Sequence, residues 1–188
     1  MREGPGVVTR ASKRGLTWLL SQQADDGGFG GGLGSSYEEY SLKIDKSGYK
    51  WKGTAIRRNL AGILTLKPEP RPGSVGMTSL AVLAMFAGGM ALDDECVAKA
   101  LAFLKTYDTY LVYSLGLRCK VWSVAESRAP GEYMKYFKHD ARRLIYSIHR
   151  LKGGWDYSIW NDTFHNSTSQ YGVLGVAAFG KGGGAVPK

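Results

Sequence analysis

The stretch "QQADDGGFGGG", Gln22 to Gly32, follows an apolar segment, Gly15 to Leu20, whose spacing predicts a helix. Its glycines end that helix instead of opening one, and no Lys follows them, so it lacks the form of a phosphate-binding loop. It also lacks the alternating oxygen ligands of a calcium loop. Glycine permits the left-handed backbone at a helix end, and Phe29 can fold back between neighbouring helices. The stretch therefore predicts a structural joint.

A second copy of this joint lies nearer the other end of the chain. "LTWLLSQQADDGGFGG", residues 16–31, and "RRLIYSIHRLKGGWDYS", residues 142–158, share an apolar helix, a polar shoulder and a Gly-Gly-aromatic sequence. Each is followed by a helix rich in small residues, namely "MTSLAVLAMFAGG" at 77–89 and "NSTSQYGVLGVAAFG" at 166–180. The sequence therefore predicts an internal repeat whose unit is a pair of helices.

Apolar residues three and four positions apart predict five or six helices without convincing strand pairs, and hence an all-α chain. The predicted stripes contain Leu16, Leu19 and Leu20; Leu80 to Met90; Val97, Leu101 and Leu104; Leu111, Leu115, Cys119 and Trp122; Tyr133, Phe137, Leu144, Ile148 and Leu151; and Tyr171, Leu174 and Ala178. The expected caps are Thr78 or Ser79 for the second helix, Asp93 and Asp94 for the third, and Asn166 or Ser167 for the sixth.

The chain of 188 residues is long enough for one domain. We expect an irregular insertion over about 35–73, with a hairpin over 40–53 and an extended connector at Pro68, Pro70 and Pro72. We also expect a glycine-rich C-terminal tail, about 181–188, that does not pack.

The composition is that of a folded protein with a basic surface. Hydrophobic residues make up 44%, and 25 basic against 16 acidic residues give a net charge of +9. The basic residues occur as singles and close pairs without a groove-reading motif, which argues against a nucleic-acid partner. These pairs are Lys13 with Arg14, Arg57 with Arg58, Lys135 with Lys138, and Arg142 with Arg143.

Two further features bear on location and redox chemistry. Cys96 and Cys119 both fall in apolar helical patterns, which predicts two buried thiols and no disulfide framework. The longest apolar run, Leu80 to Leu92, is shorter than the ~20 residues of a membrane span. Since the N-terminal residues also lack the apolar centre of a secretory signal, the sequence as written predicts a cytoplasmic protein; a fragment would leave this open.

The joint residues carry a family resemblance. "WLLSQQADDGGFG", with Gln23 and Asp26 in the polar positions, resembles the Q-x-x-D-G-G-F/W repeat of terpenoid cyclases and protein prenyltransferases. "GSVGMTSLAVLAMFAGG" and "STSQYGVLGVAAFG" resemble their inner helices, and the resemblance covers about residues 10–34 and 74–180. It implies an α/α toroid of outer and inner helices around an apolar cavity. Six helices correspond to about half of an (α/α)6 barrel. The repeat joints are Gln23, Asp26, Gly28, Phe29, Gly154 and Trp155.

The resemblance also defines which chemistry to look for. The Asp-x-Asp-Asp and Asp-Asp-x-x-Asp motifs of terpenoid cyclases are absent from the sequence, so we assign no catalytic residue. Prenyltransferases bind zinc through an Asp-x-Cys pair and a distant His, and Asp94, Cys96 and His165 match these residue types. In the family the Asp-x-Cys pair opens an inner helix, whereas the alternation here makes the third helix an outer one. We therefore expect no zinc or other cofactor, with this set as the alternative.

The densest chemical stretch runs from Gly153 to Gly172. In a toroid this loop opens at the cavity mouth, where its side chains would line a pocket for an apolar or sugar-like ligand. An equally weighted alternative is that Trp155 packs as a joint. The candidate ligand-binding residues are Trp155, Tyr157, Trp160, His165, Gln170 and Tyr171.

Together these patterns favour a non-catalytic binding or interaction module, with a small molecule or a protein as partner. The alternative is an isoprenoid enzyme, cyclase-like or zinc prenyltransferase-like, whose catalytic residues lie partly outside this chain. Half a toroid would leave inner-helix residues such as Leu80, Leu83 and Leu174 without their usual neighbours. We therefore expect self-association, or a missing second half.

Overall fold

A computed structural model describes residues 10–30, 64, 66–71, 73–149, 151–161 and 163–186. The described part is mostly helical, which confirms the all-α expectation at that level, and it also contains one parallel pair of two-residue strands. The elements are α1 (Arg10–Leu20), β1 (Lys67–Pro68), α2 (Ser74–Ala87), α3 (Glu95–Thr106), β2 (Tyr107–Asp108), α4 (Val112–Arg128), α5 (Met134–Ser147) and α6 (Asn166–Lys181). The expected hairpin over 40–53 lies outside the described residues.

Three helices form the centre of the molecule. α4 packs against α2 on one side and α6 on the other, while α5 packs against α4 and α6, and α1 and α3 pack against α2. The fully buried side chains of Trp122, Phe103, Phe137 and Met85 come from four different helices of this arrangement. The core therefore lies between the layer of α2, α4 and α6 and the helices that cover it.

Small residues allow α4 and α6 to approach closely. A Cβ at Gly116 would overlap the backbone carbonyl of Tyr171, and a Cβ at Gly175 would lie 3.1 Å from the Gly116 Cα. The ring of Trp155 occupies the space where Gly172 has no side chain. The small residues that distinguish the sixth helix in the sequence thus set its distance from α4.

The two Gly-Gly-aromatic joints share four features. The N–H of Ala24 donates to the carbonyl of Gly28 at 2.9 Å, and the N–H of His149 donates to the carbonyl of Gly154 at 2.8 Å. The first glycine of each pair has a positive φ, +84° at Gly27 and +68° at Gly153, which residues with a side chain rarely adopt.

The other two shared features concern the aromatic residues. Phe29 and Trp155 are 3% and 4% exposed. The N–H of Phe29 donates to Thr78 Oγ1 at 2.8 Å, and the N–H of Trp155 donates to Ser169 Oγ at 3.0 Å. Each joint is thereby fastened to the first turns of the following helix of the central layer.

Several expected helix ends are wrong. α2 begins at Ser74, so Thr78 and Ser79 lie inside the helix, where Ser79 Oγ donates to the Val75 carbonyl at 2.7 Å. His165 is the N-cap of α6, which displaces Asn166 and Ser167 from that role.

Three expected burial or capping roles also differ. Leu151 follows α5 in a turn and is 93% exposed instead of continuing its apolar stripe. Asp94 is the N-cap of α3, but its carboxylate accepts the N–H of Ala91 outside the helix. Cys119 is buried as expected, whereas Cys96 is only half-buried.

The segment after α6 folds back on the helix end. The N–H of Gly184 donates to the Phe179 carbonyl at 2.9 Å, and its backbone lies against the Phe179 ring. The segment of residues 182–186 therefore makes at least one contact with the end of α6, at Gly184.

We predict that the two joint hydroxyls contribute equally to stability. Thr78→Val leaves the backbone N–H of Phe29 without its hydrogen-bond partner, and Ser169→Ala does the same to the backbone N–H of Trp155. Each change costs about 1–3 kcal/mol of unfolding free energy. Urea denaturation of the two variants measures this loss. Ser167→Ala, at an exposed position on α6, is the matched control and should change stability little. A large loss in only one of the two joint variants would contradict the equivalence of the joints.

Candidate functional site

Three of the candidate ligand residues come together near the starts of α4 and α6. Tyr157 lies 4.8 Å from His165 and 6.0 Å from Tyr113, and Tyr113 lies 4.5 Å from Tyr171, measured between ring centroids. The three tyrosines are half-buried and His165 is exposed. We call these four residues the aromatic corner. Ring faces of this kind suit apolar or sugar-like ligands, which stack on them.

The other candidate ligand residues lie elsewhere. Trp155 is buried in the joint, and its Nε1 donates to the Leu144 carbonyl at 2.8 Å. Trp160 is half-buried against the core, and Gln170 is exposed on α6. Tyr113, which no pattern in the sequence selects, lies at the centre of the aromatic corner, because its ring is near those of both Tyr157 and Tyr171.

The polar joint residues connect separate parts of the chain. Gln23 Nε2 donates to the Cys96 carbonyl at 2.8 Å and to the Gly27 carbonyl at 3.0 Å. Asp26 forms a two-pronged ion pair with Arg71 at 2.9 and 3.1 Å and accepts the N–H of Gly28. Its hydrogen bond to Arg71 lowers the pKa of Asp26. These contacts hold the first joint against α3 and the chain before α2.

The structure does not bring the alternative zinc ligands together. Among the described residues, no group of three His, Cys, Asp or Glu side chains is placed to hold a metal ion. Asp94 instead accepts a backbone N–H, and the His165 ring lies tilted against the ring of Tyr157. The expectation that the protein holds no zinc stays a prediction.

A buried ion pair that the sequence analysis missed connects α4 with α5. Arg118 and Asp140 are each 1% exposed, and Arg118 donates through Nε and Nη2 to both Asp140 oxygens at 2.7 and 2.6 Å. Trp122 Nε1 donates to the same carboxylate at 2.8 Å, and Arg118 Nη1 donates to the Tyr107 carbonyl at 2.6 Å. Although burial opposes the charge of Arg118, Asp140 raises its pKa.

Asp108 lies beside this ion pair and is partly open to solvent. Its Oδ1 accepts from Arg143 and from the N–H of Thr109, and it lies 3.4 Å from Arg118 Nη2 and 3.6 Å from His139 Nε2. Burial alone would raise the pKa of Asp108, but His139, Arg143 and Arg118 hold it well below its usual value. Asp108 is therefore a carboxylate, not a proton donor, near neutral pH.

Glu69 lies on the other side of Thr109, and its pKa is shifted in the opposite direction to that of Asp108. Its Oε1 accepts from Thr109 Oγ1 at 3.3 Å and its Oε2 from the N–H of Val75 at 3.1 Å. Burial raises the pKa of Glu69 in spite of these hydrogen bonds. Within the described ranges, both ring nitrogens of His139 and the Nε of Arg143 are buried without a hydrogen-bond partner. The arrangement thus combines a fixed carboxylate with a carboxyl group that more readily holds a proton.

A sequence signal for the ion pair exists. Arg118 falls within the apolar positions Leu115, Cys119 and Trp122, and Asp140 falls within Phe137, Ala141 and Leu144. Opposite charges on the apolar faces of consecutive helices indicate a buried pair, because a lone buried charge is too costly.

The central helices also expose apolar side chains. Met77 and Leu80 on α2 are 44% and 58% exposed, and Val173 and Leu174 on α6 are 57% and 38% exposed. We call these four residues the inner face. Leu80 and Leu174 are exposed as expected, whereas Leu83 is half-buried against the core.

Comparison with protein-family models found no match, and comparisons with curated proteins and with solved structures found none either. None of the helices in the described ranges is both long and apolar enough to cross a membrane.

We predict that breaking the buried ion pair is costlier than removing it. Arg118→Met or Asp140→Leu alone strands a buried charge and should lower the unfolding free energy by about 3–5 kcal/mol. The double variant should lose less than either single variant, as a double-mutant cycle in urea would show. Lys99→Met, which breaks the exposed pair with Glu95, is the control and should have a much smaller effect. Additive losses at Arg118 and Asp140 would contradict the coupling.

We predict that Asp108 makes stability fall in acid. Because its pKa is lower in the folded chain, its contribution is present above the unfolded value of about 3.9 and is lost as pH falls through the folded value. Asp108→Asn should therefore destabilise the protein at neutral pH and flatten the acid limb of a plot of unfolding free energy against pH. The control Asp93→Asn, at an exposed position, should leave stability at neutral pH unchanged. An acid limb of the same slope in the Asp108→Asn variant as in the wild-type chain would contradict the assignment.

Proposed function

We propose that this chain is a non-catalytic interaction module of the α/α-toroid type whose inner face binds a second copy of itself. Two exposed apolar pairs carry the proposal, Met77 with Leu80 on α2 and Val173 with Leu174 on α6, because exposed apolar patches on a folded domain mark association surfaces.

The arrangement of the helices supports a toroid-like half ring. α1, α3 and α5 alternate along the chain with the central-layer helices α2, α4 and α6, and α3 and α5 each pack against the central helix that precedes them. The shared geometry of the joints at Phe29 and Trp155 supports a repeated unit.

The two ends of the central layer favour a second copy over an unrelated partner. α4 occupies the middle of this layer, so α2 and α6 are its edges, and each edge exposes two apolar residues. In a twofold dimer, α2 of one copy would meet α6 of the other, and the same contact would occur twice. Two copies would then complete six helix pairs and leave neither edge uncovered.

We predict a dimer in solution that depends on the inner face. Light scattering coupled to size exclusion should give twice the chain mass, and Leu80→Ser with Val173→Ser should shift the protein to a monomer because both edges lose apolar area.

Leu151→Ser provides the matched control. Leu151 is 93% exposed, more than any inner-face residue, so general stickiness would make this substitution the more effective one. A dimer that survives the inner-face substitutions, or a wild-type chain that is a monomer throughout, would overturn the proposal.

A further inference from the structure

The outward side of α5 carries a row of cations. Four residues of this helix are exposed, and they are Lys135, Lys138, Arg142 and Tyr146. Their spacing of three, four and four places them on one side of the helix, in a row about 16 Å long at about 1.5 Å per residue. We call them the α5 row.

No carboxylate of the described residues forms an ion pair with this row. The ion pairs found in this part of the chain do not include Lys135, Lys138 or Arg142. Asp140 lies on the same helix, but it is buried and both its oxygens are taken up by Arg118 and Trp122. The acidic residue that precedes the helix most closely in sequence is Glu132.

A fourth cation, Lys105, lies near the start of the row. The Lys105 ammonium at the end of α3 lies 4.3 Å from the Tyr133 ring and 5.8 Å from the Tyr136 ring, and the Lys135 ammonium lies 5.0 Å from the Tyr136 ring. Both ammonium groups thus lie within 6 Å of the Tyr136 ring, which attracts them without neutralising their charge. The resulting positive field attracts an extended anionic surface.

Exposed side chains with apolar surface follow the three cations along the chain. Tyr146 is 48% exposed, and Leu151, in the turn that follows α5, is 93% exposed. The phosphate groups of a nucleic acid make no favourable contact with an isolated Leu. The headgroup region of a bilayer accepts both Tyr and Leu, and its phosphates attract Lys and Arg.

We propose that α5 docks on an anionic lipid surface, with the α5 row against the headgroups and Leu151 inserted beside them. In this arrangement α5 lies along the surface. α5 contacts α4 and α6 through its buried side, so the row stays accessible when the inner face is covered. The inference therefore does not rest on the proposed dimer.

Cosedimentation of the full chain with vesicles tests this. Vesicles of one part phosphatidylserine to two parts phosphatidylcholine should bind the protein at about 0.1 M salt and lose most of it at about 1 M, where the screening length falls from about 10 Å to about 3 Å. Vesicles of phosphatidylcholine alone should bind little. Equal binding to both kinds of vesicle would overturn the proposal.

Charge variants assign the binding to the row. Lys135→Gln, Lys138→Gln and Arg142→Gln together should weaken binding roughly a hundredfold, because each cation near an anionic surface contributes a factor of about five. Lys13→Gln, Lys67→Gln and Lys181→Gln remove the same charge at exposed positions elsewhere and should weaken it much less. If the triple variant folds poorly, Lys138→Gln alone tests the α5 row, and it should weaken vesicle binding about fivefold. Equal losses from the two triple variants would overturn the proposal.

The variant Leu151→Ser distinguishes binding to a lipid surface from binding to a nucleic acid. It should weaken vesicle binding severalfold at both salt concentrations, because the lost contact is apolar. Duplex DNA binding tighter than the vesicles, sensitive to the α5 row and insensitive to Leu151→Ser, would replace the lipid with a nucleic acid and overturn the inference.

Discussion

The buried pairing of Arg118 with Asp140 constrains much of the rest of the structure. One guanidinium joins α4 to the carboxylate of α5 and to the carbonyl of Tyr107 at the end of α3, so three consecutive helices meet at a single group. A buried charge tolerates little displacement, because any lost hydrogen bond leaves it uncompensated in a medium that solvates it poorly. The positions of β2, Asp108 and Thr109 follow from this arrangement.

The local patterns of the sequence predicted a mostly helical chain, because helices depend on neighbours in the chain. Phe29 and Trp155 each follow two glycines, and glycine supplies the backbone conformation that the joint needs. The role of Thr78 could not be found in this way. Capping preferences select a hydroxyl at the start of a helix, but the partner of Thr78 is an N–H that lies 49 residues earlier in the chain.

The candidate site was predicted less completely, since it depends on which helices meet. Tyr157, His165 and Tyr171 lie within one short stretch, whereas Tyr113 joins them from α4 only because glycine allows α4 and α6 to approach closely. The polar group around Asp108 draws on β1, β2, α4 and α5, which no local pattern connects. Arg118 and Asp140 are visible in the sequence as charges on apolar faces, and such charges are as informative as a motif.

The two joints also differ in the length of chain that they close. The hydrogen bond from Trp155 to Ser169 spans 14 residues, and that from Phe29 to Thr78 spans 49. A longer loop costs more entropy to close, here by about 1 kcal/mol for a flexible chain. The unit of α5 and α6 therefore has the lower contact order, and it can form first in a folding chain. α4 can then pack on this unit, and the unit of α1 and α2 can follow. A ribosome would release the unit of α5 and α6 after α1 to α4, so for these helices the order of synthesis and the order of assembly run in opposite directions.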